Sequence, residues 1–142
     1  MLPPSDEKIS LQIESFSPAA PEKCFVPAYK LNIITDSGNV CGILNLRLGH
    51  NETTYFSGNI GYLVYPEYRG HGFAARAVRL SYKFLRSKGM NNIIITCNPS
   101  NLPSVRTCEK LEGTLLETAR IPEWHDLYHR GQRIVNIYRI EL

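Results

Sequence analysis

The residues whose types and spacing could perform chemistry begin with a glycine-rich stretch, Arg69-Gly70-His71-Gly72-Phe73-Ala74-Ala75. An apolar, strand-like run (59–64) precedes it, and a helix-patterned segment (74–88) follows. Helix N-termini carry unpaired N–H groups and the positive end of the helix dipole, and glycines let a ligand approach the backbone. This order predicts a phosphate-binding pocket. The alternative is a tight strand-to-helix turn that binds no ligand.

A second motif follows the next strand-like run. Asn101 stands three residues before Ser104, within NLPSVRTCEKL at 101–111. No Lys-Ser/Thr pair follows the glycines, which argues against a nucleotide-hydrolysing phosphate loop. The pattern Arg69-x-x-Gly72-x-Ala74 with this second motif resembles the acyl-CoA site of the GNAT superfamily of N-acetyltransferases. The resemblance is good over residues 40–115, looser over the closing hairpin and poor over the first thirty residues.

The resemblance implies acetyl-CoA as co-substrate. The amides of residues 70–75 would cradle its pyrophosphate, and the backbone of 62–64 would line a cleft where an N–H stabilises the oxyanion. Asn101 would contact the cofactor from the second helix. The cofactor-binding residues implied are Tyr62, Leu63, Val64, Arg69, Gly70, His71, Gly72, Phe73, Ala74, Ala75, Asn101 and Ser104.

The catalytic residues depart from the superfamily pattern. Relatives often place a basic glutamate where this chain has Asn59, which cannot act as a base, and a tyrosine acid where it has Cys108. Cys108 is therefore either a thiol acid or a small core residue. The segment 122–132 is rich in aromatic residues and histidine, and we expect it near the acceptor. Within it, His125 and Tyr128 are candidate acid–base groups.

A row of basic residues runs along the predicted helix, opposite its apolar stripe. It has two interpretations, a solvated surface or a contact with the 3′-phosphate of CoA. The row consists of Arg76, Arg79, Lys83 and Arg86.

The elements that would position these groups alternate in a recognisable order. Three strands joined by tight turns predict an antiparallel meander, and a buried strand after the helix predicts a parallel β-α-β unit. Predicted strands are 9–16, 29–35, 40–48, 55–64, 92–97, 114–121 and 133–142, and predicted helices are 74–88 and 104–112. The fold class predicted is α+β, one GNAT-like domain over 1–142 with a central mixed, mostly antiparallel sheet and flanking helices.

The connection 17–28 contains three prolines and is too short for the two helices that many relatives have between their first strands. We therefore expect an acceptor site that is shallow, open or completed by another subunit, and a homodimer is left open.

The composition is ordinary for a globular protein. Apolar residues make up 43% and charged residues 20%, and the net charge of +3 is too small to indicate nucleic-acid binding. The four cysteines show no metal-ligand spacing, and no signal peptide or membrane span is visible, so we expect a cytoplasmic protein with free thiols and no metal.

The function predicted is transfer of an acetyl group from acetyl-CoA to a primary amine, on a small molecule or a peptide, by direct attack on the thioester. The alternative is a catalytically weak or inactive acyl-CoA-binding regulatory module, suggested by Asn59 and Cys108.

Overall fold

The computed structural model describes residues 8–142, and these form an α+β domain as predicted. The strands are β1 (Ile9–Ser17), β2 (Ala28–Thr35), β3 (Val40–Arg47), β4 (Ile60–Val64), β5 (Asn92–Cys97), β6 (Thr114–Arg120) and β7 (Ile134–Glu141). The helices are α1 (Glu52–Ser57), α2 (Phe73–Ser87), α3 (Leu102–Lys110) and α4 (Asp126–His129). Short 3-10 turns lie at Pro21–Lys23 and Pro66–Tyr68.

The first sheet has the strand order β1-β2-β3-β4, with every neighbour antiparallel. Alternation along β3 assigns its two faces, because Leu44 and Leu46 are fully buried beneath α2 whereas Ile43, Asn45 and Arg47 are half-buried on the other side. Gly61 and Leu63 of β4 pair with Asn45 and Ile43 and share this second face, hereafter the open face. The order and antiparallel pairing of the predicted meander are thus confirmed from β2 to β4, but the connection between β3 and β4 contains α1 and is not a tight turn.

The predicted strand 55–64 is wrong in its first half. Residues 52–57 form α1, because Asn51 Oδ1 accepts from the Thr54 N–H (2.8 Å) while Thr54 Oγ1 accepts from the Asn51 N–H (2.9 Å). This reciprocal capping box satisfies two otherwise unpaired N–H groups at the start of the helix. The β-branched and aromatic residues 53–56 favour a strand by propensity, but capping outweighed it. The strand itself begins at Ile60.

The second sheet has the order β5-β7-β6, also antiparallel throughout. β5 was predicted to lie parallel to and beside the strand before α2. It is buried as predicted, but its hydrogen-bonded ladder is with β7, and β4 belongs to the first sheet. The predicted single mixed sheet is therefore divided in two between β4 and β5.

The two helices of the cofactor motif match their predictions with small shifts. The buried face of α2 consists of Phe73, Ala75, Ala77, Val78, Ser81 and Leu85. Gly89 has φ +87° just after α2, as expected of a helix-ending glycine. α3 begins at Leu102, two residues earlier than predicted, because Asn101 caps it and Pro103 fits its first turn.

Candidate active site

Asn59 connects the two sheets at the point where β4 and β5 separate, hereafter the fork. Its side chain is fully buried and donates from Nδ2 to the carbonyls of Arg47 (3.0 Å) and Gly49 (2.8 Å). Its Oδ1 accepts from the Ile94 N–H (2.8 Å), and its own N–H donates to the Ile94 carbonyl (2.7 Å). Beyond this point no ladder connects β4 to β5 in the described chain, and the space between them is hereafter the gap.

The backbone of β4 offers hydrogen-bonding groups to the gap. In an antiparallel pair, alternate residues direct N–H and C=O towards the partner strand and those between direct them away. The Tyr65 N–H donates to the Cys41 carbonyl (2.9 Å), so Gly61 and Leu63 face β3 while Tyr62 and Val64 face the gap. Of the three residues predicted to act through their backbone, Tyr62 and Val64 are placed for it. Leu63 instead points a half-exposed side chain to the open face.

Arg69 secures the far end of β4. Its Nε donates to the carbonyl of Val64 at 2.8 Å, so this gap-facing oxygen is already bonded within the chain. The N–H of Val64 keeps its orientation towards the gap. Arg69 therefore shapes the cleft through β4, in addition to any direct contact with a ligand.

The glycine-rich stretch has the conformation expected of a phosphate loop. Gly70 (φ +85°) and Gly72 (φ +73°) occupy the left-handed region that favours glycine, and α2 starts directly after Gly72. A Cβ at Gly70 would meet no atom within 4 Å, so the backbone there is open to a ligand. The N–H groups of Phe73, Ala74 and Ala75 form the first turn of α2, where a phosphate binds favourably.

Two cationic side chains, those of Lys110 and Arg76, lie beside this loop. The Nζ of Lys110, at the end of α3, lies 3.9 Å from the Cβ position of Gly72, and sequence reasoning missed it as a site residue. Arg76 stacks on the Phe73 ring at 5.2 Å, and the His71 ring lies 5.8 Å from the same ring. Arg79, Lys83 and Arg86 are exposed, and Arg79 donates to the Lys110 carbonyl. The signal for Lys110 was its place one helix turn beyond Arg106 in the predicted second helix.

The start of α3 borders the other side of β4. Asn101 accepts from the Ser104 N–H (3.3 Å) as the cap of α3, so both predicted residues help to build this helix end. The Tyr62 hydroxyl is buried and has no hydrogen-bond partner within residues 8–142, although Ser104 and Thr107 face it. Burial raises the pKa of the Tyr62 phenol, and these hydroxyls offset part of that effect.

Cys108 lies in the core and not on a solvent path. It is fully buried, and its thiol hydrogen-bonds with Cys97 of β5. This hydrogen bond and burial raise the pKa of the Cys108 thiol far above its usual range. A thiol held this strongly in its protonated form is a weak acid, so the geometry favours the interpretation as a small core residue.

His125 is buried at the start of α4 with both ring nitrogens engaged. Nδ1 accepts from the Leu127 N–H (3.0 Å), which leaves Nε2 as the protonated nitrogen that donates to the Thr53 carbonyl of α1 (2.9 Å). Taking up a proton would break the bond to Leu127. Tyr128 is half-buried, and the guanidinium of Arg133 stacks on its ring at 3.7 Å. Both residues thus fix the 122–132 connection to its surroundings.

A cavity of about 310 Å³ opens beside the fork. Its walls come from the β1–β2 connection, α1, α4 and the side chain of Arg47. The guanidinium of Arg47 donates to the Gly58 carbonyl at 3.0 Å, and its Nη2 lies 3.9 Å from the Cβ position of Gly61. Sequence reasoning missed this residue, although the alternation of β3 already placed it opposite Leu46.

Within residues 8–142, no group of three or more histidine, cysteine or acidic side chains could hold a metal ion. All four cysteines are free thiols. None of the helices described is long and apolar enough to cross a membrane.

The matching family model is the acetyltransferase (GNAT) domain, over residues 3–114. The chain therefore belongs to the GNAT acetyltransferase domain family, as its sequence motifs indicated.

Similar proteins agree with this assignment. YnaD of Bacillus subtilis (strain 168), an uncharacterised N-acetyltransferase, is 32% identical over 106 residues, which is 68% of this chain and 59% of that protein. A GNAT-family acetyltransferase structure from Bacillus anthracis matches with TM-score 0.61 and 25% identity, over 79% of this chain and 65% of that one. The microcin C7 self-immunity acetyltransferase MccE, solved with acetyl-CoA and AMP, matches with TM-score 0.63 and 22% identity, over 81% and 61%. The chain thus spans about three fifths to two thirds of the length of these relatives.

Proposed function

We propose that this protein is an N-acetyltransferase that moves an acetyl group from acetyl-CoA to a primary amine. The gap between β4 and β5 is the observation that supports this proposal. Two gap-facing amides, of Tyr62 and Val64, lead from the fork at Asn59 directly to a left-handed glycine loop and the start of a helix. A cleft with this shape suits an extended pantetheine arm that ends in a pyrophosphate.

In this proposal, residues of this chain hold the pyrophosphate and the pantetheine arm of the cofactor. The amides of residues 73–75, with Lys110 beside Gly72, would hold the pyrophosphate, and the amides of Tyr62 and Val64 would bond the arm and the thioester carbonyl. Acetyl-CoA supplies the activated acetyl group and a stable thiolate leaving group. The unpaired Tyr62 hydroxyl and the capped start of α3 lie on the same side of β4, where Asn101 and Ser104 are proposed to border the cofactor.

Acid–base groups contribute little in this proposal. Asn59 has no proton-accepting carboxylate, and Cys108 is held protonated in the core. An N–H that stabilises the oxyanion contributes about 10²–10³ in rate, comparable to the 10²–10⁴ typical of acid–base help. We propose that positioning and the β4 amides carry the reaction and that the amine reaches the thioester already neutral.

Asn59 and Cys108, which stand where catalytic groups were expected, favour a second candidate, an acyl-CoA-binding module without turnover. Release of free thiol from acetyl-CoA across a panel of amines separates the candidates, because turnover with any amine excludes the inert module. Binding without release across the panel would favour it.

Cofactor binding is tested by thermal unfolding with acetyl-CoA. Stabilisation at one hundred times Kd should reach about 2.7 kcal/mol, and absence of any shift at millimolar acetyl-CoA would contradict both candidates.

A matched pair of glycine variants locates the cofactor. Gly72→Ala and Gly89→Ala both place an alanine at positive φ (+73° and +87°) with no close contact for its Cβ, so their conformational costs are similar. Gly72→Ala should weaken acetyl-CoA binding about tenfold or more. Alanine disfavours the left-handed conformation by about 1 kcal/mol or more, so the loop either leaves that conformation or keeps it under strain. Gly89→Ala should leave the Kd unchanged. Equal effects of the two variants would place the cofactor elsewhere.

A further inference from the structure

The cavity beside the fork contains positive charge that the chain does not neutralise. Arg47 and Arg130 both line it, and neither forms an ion pair within 4 Å of a carboxylate in the described residues. Asp126 also lines the cavity, so the three charged side chains sum to one positive charge. Thr53, Thr54 and Ser57 of α1 add hydroxyl groups.

Arg47 is held in place but not satisfied. One nitrogen, Nη1, donates to the carbonyls of Gly58 (3.0 Å) and Ser57 (3.5 Å), and those bonds orient the guanidinium at the closed end of the gap. Burial, and then the nearby charge of Arg130, lower the pKa of Arg47. An anion in the cavity would relieve the repulsion between these two cations and form the paired hydrogen bonds that a guanidinium favours.

The rest of the lining limits the size and character of the ligand. Phe25, Val26, Ala28 and Leu127 make much of the wall apolar, and about 310 Å³ lies at the small end of ligand sites. A small molecule with an apolar body fits this space, whereas a folded protein surface does not enter it.

The position of Arg47 relates the cavity to the proposed reaction. Its Nη2 lies 3.9 Å from the Cβ position of Gly61, on the open face, where Leu63 is the next residue of β4 on that side. Two residues along a strand span about 7 Å. An acceptor whose anionic group meets Arg47 would therefore place an amine a few bonds away beside Leu63, next to the gap-facing amides.

We propose that Arg47 and Arg130 select an amine acceptor that also carries an anionic oxygen group, a carboxylate or a phosphate. This assignment rests on the proposed acetyltransferase function, since it names the acceptor class for that reaction. The two arginines should bind the anionic group whether or not turnover is observed.

The test is titration calorimetry with unreactive, already acetylated ligands. N-acetylphenylalanine is compared with its uncharged amide, and N-acetyl-O-phosphoethanolamine with N-acetylethanolamine, so the two pairs distinguish carboxylate from phosphate. In at least one pair the anion should bind about tenfold tighter than its neutral partner, as expected of charge-assisted hydrogen bonds.

Variants then assign the preference to the two arginines. Arg47→Gln and Arg130→Gln should each remove most of the anion preference. Arg130 is exposed, so Arg130→Gln tests the proposal with a substitution that should not disturb folding. Arg120→Gln, an exposed arginine of β6 outside the cavity, should change nothing. An unchanged thermal shift with acetyl-CoA shows that each variant keeps its fold.

Equal affinity for charged and neutral members of both pairs, or a preference that survives both cavity variants, would overturn the proposal. Failure of acetyl-CoA to bind would instead overturn the proposed function, while calorimetry still decides the cavity. With reactive amines, Arg47→Gln should raise KM for anionic acceptors more than KM for neutral ones.

Discussion

Asn59 stands where the family resemblance predicts a glutamate, and its hydrogen bonds require an amide at this position. Both Nδ2 hydrogens are donated to carbonyls, those of Arg47 and Gly49, and Oδ1 accepts from Ile94. A carboxylate has no hydrogens to donate, so it would face two carbonyl oxygens in a buried site. In this chain the residue fixes the geometry of the fork and is not available to accept a proton.

Asn59→Asp should therefore destabilise the protein by about 1–3 kcal/mol or more, because it removes both Nδ2 donors from the Arg47 and Gly49 carbonyls and adds a buried charge. Denaturant unfolding at neutral pH measures the loss. Asn91→Asp, an exposed change of the same type just before β5, should alter stability by no more than about 0.5 kcal/mol. Equal stability of the two variants would show that the hydrogen bonds of the Asn59 side chain do not stabilise the fork.

Tyr62 provides a test of pH dependence. Burial raises the pKa of its phenol above the unfolded value of about 10, so the folded state favours the neutral form. The stability that comes from keeping the Tyr62 phenol neutral is fully present below about pH 10. It is lost as pH rises towards the folded pKa, and the free energy of unfolding then falls by up to about 1.4 kcal/mol per pH unit.

Tyr62→Phe cannot titrate at this position, so it should lose less stability than the wild type as pH rises above about 10. Near pH 7 it should unfold within about 1 kcal/mol of the wild type, because the hydroxyl that it removes has no partner. Denaturant unfolding across this pH range measures both effects, with Tyr65→Phe at the turn after β4 as control. Parallel pH profiles for wild type and Tyr62→Phe would contradict the assignment.

The two shortest helices carry the wall of the cavity. α1 and α4 are joined by the bond from His125 Nε2 to the Thr53 carbonyl, and a T-shaped contact of the His125 and Phe56 rings (5.9 Å) reinforces it. Helices of six and four residues are not stable alone, so their positions depend on such contacts.

His125→Ala should lower stability by about 2–4 kcal/mol, since it deletes a buried ring and leaves the Leu127 N–H and Thr53 carbonyl without their partner. His129→Ala, an exposed histidine of the same helix, should have little effect. Thermal unfolding compares them. If His125 acted only as an acid–base group, its removal would lower the rate of thiol release without changing stability.

How far sequence predicts these elements depends on the kind of information each requires. Alternation in β3 and the helical period of α2 are local patterns, and both were predicted, as was the glycine loop. α1 was missed because strand propensity of its β-branched and aromatic residues was weighed above the cap at Asn51. The cavity could not be predicted, because Arg47 and Arg130 are 83 positions apart and meet only through tertiary packing.

At the scale of the whole molecule, the division into two sheets creates the site. Each sheet is continuous within itself, and their backbones are connected at the fork by the bonds between Asn59 and Ile94. The gap and the cavity both begin at this junction, and the glycine loop follows the far end of β4, so the cofactor and acceptor proposals depend on the same division into two sheets. The short β1–β2 connection lines the cavity directly, where many relatives are expected to place two helices.

The position of β7 has a consequence for how the protein is made. β7 lies between β5 and β6 in the second sheet, although it follows both in the chain. Strands β1 to β4 have all their hydrogen-bonded neighbours once Val64 has been synthesised, so the first sheet can form early during translation. β5 and β6 expose unpaired edges until residues 134–141 leave the ribosome. Until then these edges can pair with another chain, and chaperones that shield such edges are expected to act during that interval.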